Sequence, residues 1–267
     1  MTILDTIMAH KAKEVTDRKS KVSVASLEKQ PFFSRTCASI KASLINPGAS
    51  GIIAEIKRKS PSQGIIHPNV IVEQIAEGYE RAGVSGISVL TDQEFFGGTD
   101  EDLLRTRSKV QVPLLRKEFI LDEYQILEAK ALGADVILLI AACLSSSRIK
   151  QFTSVAHALG LEVLLEVHDE AELNNNLDSG ADLLGVNNRN LKTFEVSVET
   201  SKRLVKLIPD SFVKISESGI ESAETITELR SIGFQGFLMG QNFMKQEQPE
   251  KACEAFIREV HTKQTIR

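Results

Sequence analysis

The sequence predicts an α/β fold, a single (β/α)8 barrel preceded by a helical extension, and three observations support this prediction. From residue 51 onward, short β-rich runs alternate with helix-length amphipathic segments. At five junctions a glycine follows the last helical turn and an apolar strand starts soon afterwards: RAGVSGISVL, ALGADVILLI, LGLEVLLEV, SGADLLGV and SIGFQGFLM. The length of 267 residues suits one TIM barrel of this type.

The alternation resolves into eight predicted strands and eight predicted helices. The strands are expected at residues 51–57, 86–91, 113–119, 135–140, 162–167, 182–187, 212–217 and 236–240. The helices are expected at residues 69–82, 99–108, 122–132, 145–159, 169–179, 198–207, 222–232 and 249–261. No long linker separates these units, which favours a closed parallel barrel over an open doubly wound sheet.

Residues 1–50 are predicted to form two or three short helices that pack on the barrel of residues 51–267, so that the chain is one domain overall. The first helix carries an apolar stripe that needs a partner surface. Its members are Ile3, Leu4, Ile7, Met8, Ala12 and Val15. The pair Pro47-Gly48 marks the entry to the barrel.

Composition excludes several classes of function. The net charge of -4 offers no broad positive surface for nucleic acid or an anionic membrane. The three cysteines are far apart without a CxxC pair, and the five histidines lack metal-ligand spacing, so neither a disulfide framework nor a metal site is expected. We read no signal peptide and no membrane span, and therefore expect a cytoplasmic protein.

Charged residues at the strand ends identify the expected active site. In such a barrel alternate strand residues face the interior, and catalysis takes place at the carboxyl ends of the strands. Because side chains alternate in direction along each strand, three carboxylates, two ammonium groups and one amide are expected to face the opening at the carboxyl end of the barrel. These are Glu55, Lys57, Lys117, Glu166, Asn187 and Glu217. His168 has the outward parity and is left out.

Such a cluster suits proton transfer near neutral pH, because carboxylates and ammonium groups in contact can supply both a base and an acid. For any one of these residues, a solvated strand end or a structural salt bridge is an alternative. Asn187 could instead cap the turn that follows it. No metal is expected, since the two ammonium groups can stabilise developing negative charge.

Several loops at the same end offer places for a phosphate group. Gly219 and Gly240 follow strand ends just before a helix or turn, where backbone N–H groups can face an anion. Ser60 adds a hydroxyl from the SPSQG turn, and Arg189 adds a guanidinium just past the sixth strand. Taken singly, the glycines could be conformational and Arg189 could be a surface residue.

These residues carry a resemblance to a known family. IIAEIKRKSPSQG, an E-x-K strand that enters a Ser-Pro-Ser turn, resembles the signature of indole-3-glycerol phosphate synthase. PLLRKEFI, LLEVHDE, GVNNRNL, ISESGI and FLMGQNFM are similar to later strand ends of that family, in the same order. The resemblance spans essentially the whole chain and implies a (β/α)8 carboxy-lyase of tryptophan biosynthesis that uses no cofactor.

The resemblance also implies roles for the site residues. Lys117 would be the general acid in ring closure, helped by Glu55 and Lys57, and Glu166 would be the base in the loss of water. Asn187 and Glu217 would orient the substrate. Ser60, Arg189, Ser218, Gly219 and Gly240 would bind it, and Phe119 with Phe96 would form an apolar wall. For Leu138 and Ile140 ordinary core is the better interpretation. Gln63 and Gln241 depart from the residues usual at those positions, which bears on phosphate affinity.

The expected partner is therefore a small phosphorylated substrate, and we expect a monomer. Two alternatives remain at this stage. One is another phosphosugar enzyme such as phosphoribosylanthranilate isomerase, although no cysteine lies at a suitable strand end for that chemistry. The other is a non-catalytic phosphosugar-binding barrel, which would be expected to have lost an acid or a base.

Overall fold

The structure, a computed structural model, describes residues 2–191 and 193–265. Within that part of the chain, eight parallel strands close into one barrel, which confirms the predicted (β/α)8 fold. We number them β1 to β8 in chain order: Ile52–Ile56, Gly86–Leu90, Leu114–Lys117, Val136–Ile140, Glu162–Val167, Leu183–Asn187, Val213–Glu217 and Gly236–Met239. Each strand pairs with its neighbours in sequence, and β8 pairs with β1 to close the ring.

Helices follow the strands around the outside of the barrel. The α-helices are Val72–Ala82, Gln93–Phe96, Asp100–Lys109, Glu123–Ala131, Ser146–Ala158, Glu170–Asn174, Glu199–Leu204, Ala223–Ser231, Gln241–Met244 and Pro249–Thr265. Two 3₁₀ turns lie at Ala141–Cys143 and Val205–Leu207. The predicted junction geometry is present: Gly83 and Gly133 end their helices at φ +87° and +88°, where a Cβ would be strained.

One helix is much shorter than predicted. The segment 169–179 is helical only at Glu170–Asn174. Three asparagines in a row follow Leu173, and asparagine competes with helical hydrogen bonding. The Asn176 side chain donates to the carbonyl of Glu172 at 2.7 Å, which ends the helix in a turn.

The SPSQG segment also differs from the prediction, because Lys59–Ser60 and Gly64–Ile65 pair as a small antiparallel hairpin.

Inside the barrel, the half near the amino ends of the strands is apolar. It is filled by side chains such as Ile53, Leu115 and Ile215, all fully buried. Ile40 and Leu44, from the helix Ile40–Ile45, complete this cluster from below. Strand glycines make room for them, since a Cβ on Gly86 would lie 2.8 Å from Ile40 Cδ1. The amino end of the barrel is therefore plugged.

The extension begins with one long helix, α1 (Ile3–Lys21), followed by Val24–Leu27 and Ile40–Ile45. The predicted stripe is partly wrong, since Ala12 is exposed and Lys11 is buried instead. The Lys11 ammonium lies 2.9 Å from Asp92 and 3.0 Å from Glu118, in the loops after β2 and β3. These ion pairs fix α1 beside the carboxyl ends of the strands. None of the described helices is both long and apolar enough to cross a bilayer.

Candidate active site

A cavity of about 460 Å³ lies at the carboxyl ends of the strands. Every residue predicted for the site lines it. These are Glu55, Lys57, Ser60, Lys117, Phe119, Glu166, Asn187, Arg189, Glu217, Ser218, Gly219 and Gly240. The strands and the loops that follow them thus bring together residues that are up to 185 positions apart, Glu55 to Gly240, around one space large enough for a small molecule.

Lys117 lies at the centre of the charged cluster, at the end of β3. Its Nζ is 2.9 Å from Glu166 Oε2 and 2.7 Å from Glu217 Oε2. The carboxylates come from β5 and β7, so this ammonium joins three strands across the mouth. Charge-assisted hydrogen bonds of this kind hold the Lys117 side chain in one position.

Glu55 and Lys57 form a second ion pair on β1 and just after it, between Glu55 Oε1 and Lys57 Nζ. A Cβ on Gly240 would lie 2.6 Å from Glu55 Oε1 and 2.8 Å from its Cβ. The absence of a side chain at Gly240 therefore lets the Glu55 carboxylate lie against the end of β8. Any larger residue there would displace it.

The central carboxylates differ in protonation. Burial raises the pKa of both, but Lys117 and His168 outweigh it at Glu166, whose pKa falls well below its ordinary value. Burial dominates at Glu217 and raises its pKa to about 7, because Lys117 is its one compensating cation and Glu166 repels its charge. Burial opposes the charged form of Lys117, yet Glu166 and Glu217 raise its pKa above the ordinary value.

A close approach by β6 explains how Glu217 is oriented. A Cβ on Gly185 would lie 2.2 Å from Glu217 Oε1 and 3.2 Å from Leu164 Cδ1. Glu217 Oε1 is buried and finds no hydrogen-bond partner among the described residues. A buried carboxylate oxygen without a partner favours the protonated form, in agreement with the raised pKa of Glu217.

His168 was left out of the site because of its parity, and it does not line the cavity, but it contacts the Glu166 carboxylate. The chain bends directly after β5, and His168 Nε2 comes within 3.3 Å of Glu166 Oε1. On its other side, His168 Nδ1 lies 3.1 Å from Glu172 Oε2. The alternation of side-chain directions applies only within a strand, so it does not predict where His168 points. The signal that the sequence offered was spacing: Glu166 lies two residues before His168, and Glu172 lies four residues after it.

The loop after β6 contributes Asn187 and Arg189. Asn187 Oδ1 accepts a hydrogen bond from the Arg189 backbone N–H at 3.0 Å, so the capping alternative is present while Asn187 also lines the cavity. The Arg189 guanidinium donates to the Phe194 carbonyl and has no carboxylate partner within the described ranges. It remains a cation that an incoming anion could pair with.

The neighbouring loop after β7 has the features of an anion site. Ser218 has φ +68°, unusual for a residue with a side chain, and Gly219 follows at φ +73°. Asn188 Nδ2 fixes this turn by donating to the Ser218 carbonyl at 3.0 Å. Successive N–H groups in such a turn can face an anion. Ser60 and Ser62 reach the same cavity from the hairpin after β1.

Apolar side chains form the remaining wall. Phe96 and Phe119 lie with ring centroids 6.0 Å apart, and Leu138 and Ile140 belong to the barrel core while also lining the cavity. Sequence reasoning missed the contribution of α1. Its residues Ile3, Leu4 and Ile7 line the mouth as well. The site can therefore hold a flat apolar group between a charged floor and a polar rim.

No group of three or more His, Cys, Asp or Glu side chains in ranges 2–191 and 193–265 is arranged to hold a metal ion. The carboxylates of the cluster instead pair with ammonium groups. Metal-free catalysis remains a prediction that rests on those ammonium groups.

Known proteins are similar to the chain over nearly its whole length. The sequence model described as "Indole-3-glycerol phosphate synthase" matches residues 4–256. A protein of that name from Bacteroides thetaiotaomicron is 44% identical, over 97% of this chain and 98% of its own length. Another from Acinetobacter baumannii is 41% identical, over 98% of this chain and 97% of its own length. A 3-hexulose-6-phosphate synthase structure from Salmonella typhimurium has a TM-score of 0.63 at 12% identity, over 79% of this chain and 98% of that one, which shows the fold alone.

Proposed function

The chain belongs to the indole-3-glycerol phosphate synthase family, and from that premise we propose how its own residues carry out the reaction. The enzyme is a decarboxylating lyase of tryptophan biosynthesis. It closes an indole ring on 1-(o-carboxyphenylamino)-1-deoxyribulose 5-phosphate and releases carbon dioxide and water. The isomerase and the non-catalytic barrel, the two alternatives raised by the sequence, are not supported by the family match.

Lys117 is the general acid of ring closure in this proposal. A carbon of the aniline ring attacks the substrate carbonyl, a carbon–carbon bond forms, and the carbonyl oxygen takes a proton from the ammonium group. The carboxylates at 2.9 Å and 2.7 Å keep Lys117 charged and aimed, which supports this role. Lys57, held by Glu55, adds a second cation for the substrate carboxylate. Loss of carbon dioxide then restores the aromatic ring.

Glu166 is the base of the dehydration step. Its lowered pKa keeps it ionised at neutral pH, ready to accept a proton as the hydroxyl group leaves as water. Lys57 or Lys117 supplies the proton that the leaving hydroxyl needs. Asn187 and Glu217 orient the hydroxyl and anilino groups between them.

Substrate binding divides between two parts of the rim. Ser60, Arg189, Ser218, Gly219 and Gly240 bind the phosphate and its neighbouring oxygens through N–H, hydroxyl and guanidinium donors. Phe96 and Phe119 flank the aromatic ring. Gln63 and Gln241 also line the cavity and provide neutral amides there. We propose that no cofactor takes part.

One observation carries this proposal: the Lys117 ammonium lies between Glu166 and Glu217 at the mouth of the barrel. The test supplies the anilino-deoxyribulose phosphate and follows indole fluorescence with equimolar gas release. Lys117→Ala should abolish turnover while substrate affinity stays within about tenfold, because acid catalysis acts mainly on the transition state. Lys150→Ala is the matched control, since Lys150 also pairs with a carboxylate but on the exposed surface. Normal turnover by Lys117→Ala would refute the assignment.

We also propose that the protein acts as a monomer in the cytoplasm. The cysteines Cys37, Cys143 and Cys253 are free thiols, which suits a reducing compartment. Light scattering should give the mass of one chain at micromolar concentration, and a mass of two chains would contradict the proposed monomer.

A further inference from the structure

His168 lies between two carboxylates and outside the set of residues assigned to the reaction. It is largely buried, with its side chain 11% exposed. Its two ring nitrogens face different partners, Glu166 Oε1 at 3.3 Å and Glu172 Oε2 at 3.1 Å. The Glu172 contact is a hydrogen bond that fixes the ring, whereas His168 Nε2 makes no hydrogen bond among the described residues and meets Glu166 as the cation of an ion pair.

Glu172 is itself fixed by the short helix Glu170–Asn174. The Asp169 side chain accepts the Glu172 backbone N–H at 2.9 Å at the start of this helix. Glu172 Oε2 then accepts the backbone N–H of His168 at 2.8 Å as well as contacting its ring. The ring orientation of His168 therefore depends on Glu172, which is not among the residues that line the cavity.

The two oxygens of Glu166 consequently face two cations. Oε2 faces Lys117 from β3, and Oε1 faces His168. Glu166 also acts electrostatically on Glu217 on β7 and on the half-buried thiol of Cys143 after β4. Without His168, Glu166 and Glu217 would compete for the single ammonium of Lys117.

We propose that His168 is a positioning residue that holds Glu166 ionised and oriented, and that Glu172 in turn positions His168. This inference rests on the proposed role of Glu166 as the base. The contacts with Glu166 and Glu172 raise the pKa of His168 to about 10 against the effect of burial, so the imidazole stays charged through the neutral range. The second cation decides that Glu166, rather than Glu217, carries the negative charge.

The test is the pH profile of kcat/KM for His168→Gln and Glu172→Gln. A base loses activity as the pH falls through its pKa, and removal of a cation raises the pKa of Glu166. The acidic limb should therefore move to higher pH by about one unit in His168→Gln, with most activity recovered above the limb. Glu172→Gln should move it in the same direction by a smaller amount. A merely structural role would lower activity equally at every pH.

Two further variants separate the possible outcomes. His157→Gln is the matched control, because His157 also contacts a carboxylate, Asp182, but its side chain is exposed on the outer face of its helix; the acidic limb of this variant should match that of the wild type. Glu166→Gln tests the premise, and wild-type turnover by that variant would remove the base role itself. If Glu166→Gln is inactive and neither His168→Gln nor Glu172→Gln moves the limb, the inference is wrong and the proposed function stands. If His168→Gln fails to fold, the position of the acidic limb in the pH profile of Glu172→Gln decides whether the inference holds.

Discussion

At the scale of single residues, the active site depends on how one ammonium is shared by two carboxylates. Glu166 has cations on both of its oxygens, whereas Glu217 has Lys117 on one oxygen and no described hydrogen-bond partner on the other. The two side chains thus differ in how readily they take up a proton, although both are buried glutamates at strand ends. Such a difference between neighbouring carboxyl groups allows one to act as a base while the other donates a hydrogen bond.

The raised pKa of Glu217 predicts a specific pH dependence of stability. Its ordinary pKa is 4.5, and in the fold it is raised to about 7, so the folded state binds the proton more tightly than the unfolded state. The contribution of Glu217 to stability is therefore fully present below about pH 4.5 and is lost as the pH rises through about 7.

We expect the free energy of unfolding of the wild type, minus that of Glu217→Gln, to fall between about pH 5 and about pH 8. Urea unfolding of both proteins across that range measures the difference. A difference that stays constant over that range would mean that Glu217 is ionised throughout in the folded protein.

Gly185 and Gly236 provide a matched pair inside the barrel, at opposite ends. Alanine at Gly185 would push on Glu217 Oε1, and should lower kcat at least about tenfold because small displacements of catalytic groups are costly. Alanine at Gly236 would instead meet Ile215 Cδ1 at 2.3 Å, and should cost about 1–3 kcal/mol of stability with kcat nearly unchanged. Thermal unfolding and kcat of both variants distinguish the two effects, and equal kcat values would contradict the close approach at Gly185.

Strand parity predicted which charged side chains line the cavity, because each of them lies on or next to a regular strand. Glu55 and Glu217 are strand residues, and their inward direction follows from period two. His168 could not be predicted in this way, because the bend after β5 redirects it. Lys11 was missed for a different reason: a buried lysine interrupts the apolar stripe of α1, and two of its carboxylate partners, Asp92 and Glu118, are about 80 or more residues away in sequence.

At the scale of elements, α1 is joined to the barrel by buried charge rather than by an apolar stripe alone. Lys11 is 1% exposed and contacts Glu14, Asp92 and Glu118 within 3.0 Å. Glu118 directly follows the catalytic candidate Lys117, so this contact links the extension to the end of β3. Asp92 also starts the helix Gln93–Phe96, which carries one of the aromatic rings of the cavity wall.

Removal of the Lys11 charge should weaken the attachment of α1 to the barrel. Lys11→Met would leave Asp92 and Glu118 buried without their cation, and we expect a loss of about 3–5 kcal/mol in the free energy of unfolding. KM should also rise, because Ile3, Leu4 and Ile7 of α1 line the cavity. Urea unfolding and steady-state kinetics measure the two effects.

Lys13→Met is the control for this experiment, since Lys13 is exposed on the same helix and should change stability by less than about 0.5 kcal/mol. Equal stability of the Lys11 and Lys13 variants would show that the buried ion pairs do not hold the extension in place.

The sequence predicted the number and type of barrel elements better than their ends. Repeated glycine junctions fix where helices stop, and Gly83 and Gly133 have the expected left-handed conformation. The short helices Gln93–Phe96 and Gln241–Met244 were not predicted as elements, because four residues give no periodic pattern. The length of α1 was underestimated, since its buried face includes a lysine.

At the scale of the whole molecule, the barrel divides into an apolar half and a charged half. Apolar burial in the first half, around Ile53 and Ile215, and in the larger core between the strands and the surrounding helices stabilises the fold, while the second half holds buried ions that stabilise it only when paired. Because the apolar core stabilises the strands, the open end of the barrel can hold charged groups whose burial is unfavourable.

The proposed chemistry predicts that turnover does not depend on a divalent ion. The Lys57 and Lys117 ammonium groups can stabilise the negative charge that develops on the substrate. Treatment with a chelator followed by dialysis should leave kcat unchanged in the fluorescence assay. Loss of activity that a divalent ion restores would contradict this assignment.

The plug formed by Ile40 and Leu44 has a kinetic consequence. With one end filled by side chains, the described interior opens to solvent at the other end alone. Incoming substrate, indole-3-glycerol phosphate and carbon dioxide must then share a single passage. A product molecule that lingers there obstructs the next arrival, so accumulating product should slow turnover in a manner that additional substrate relieves.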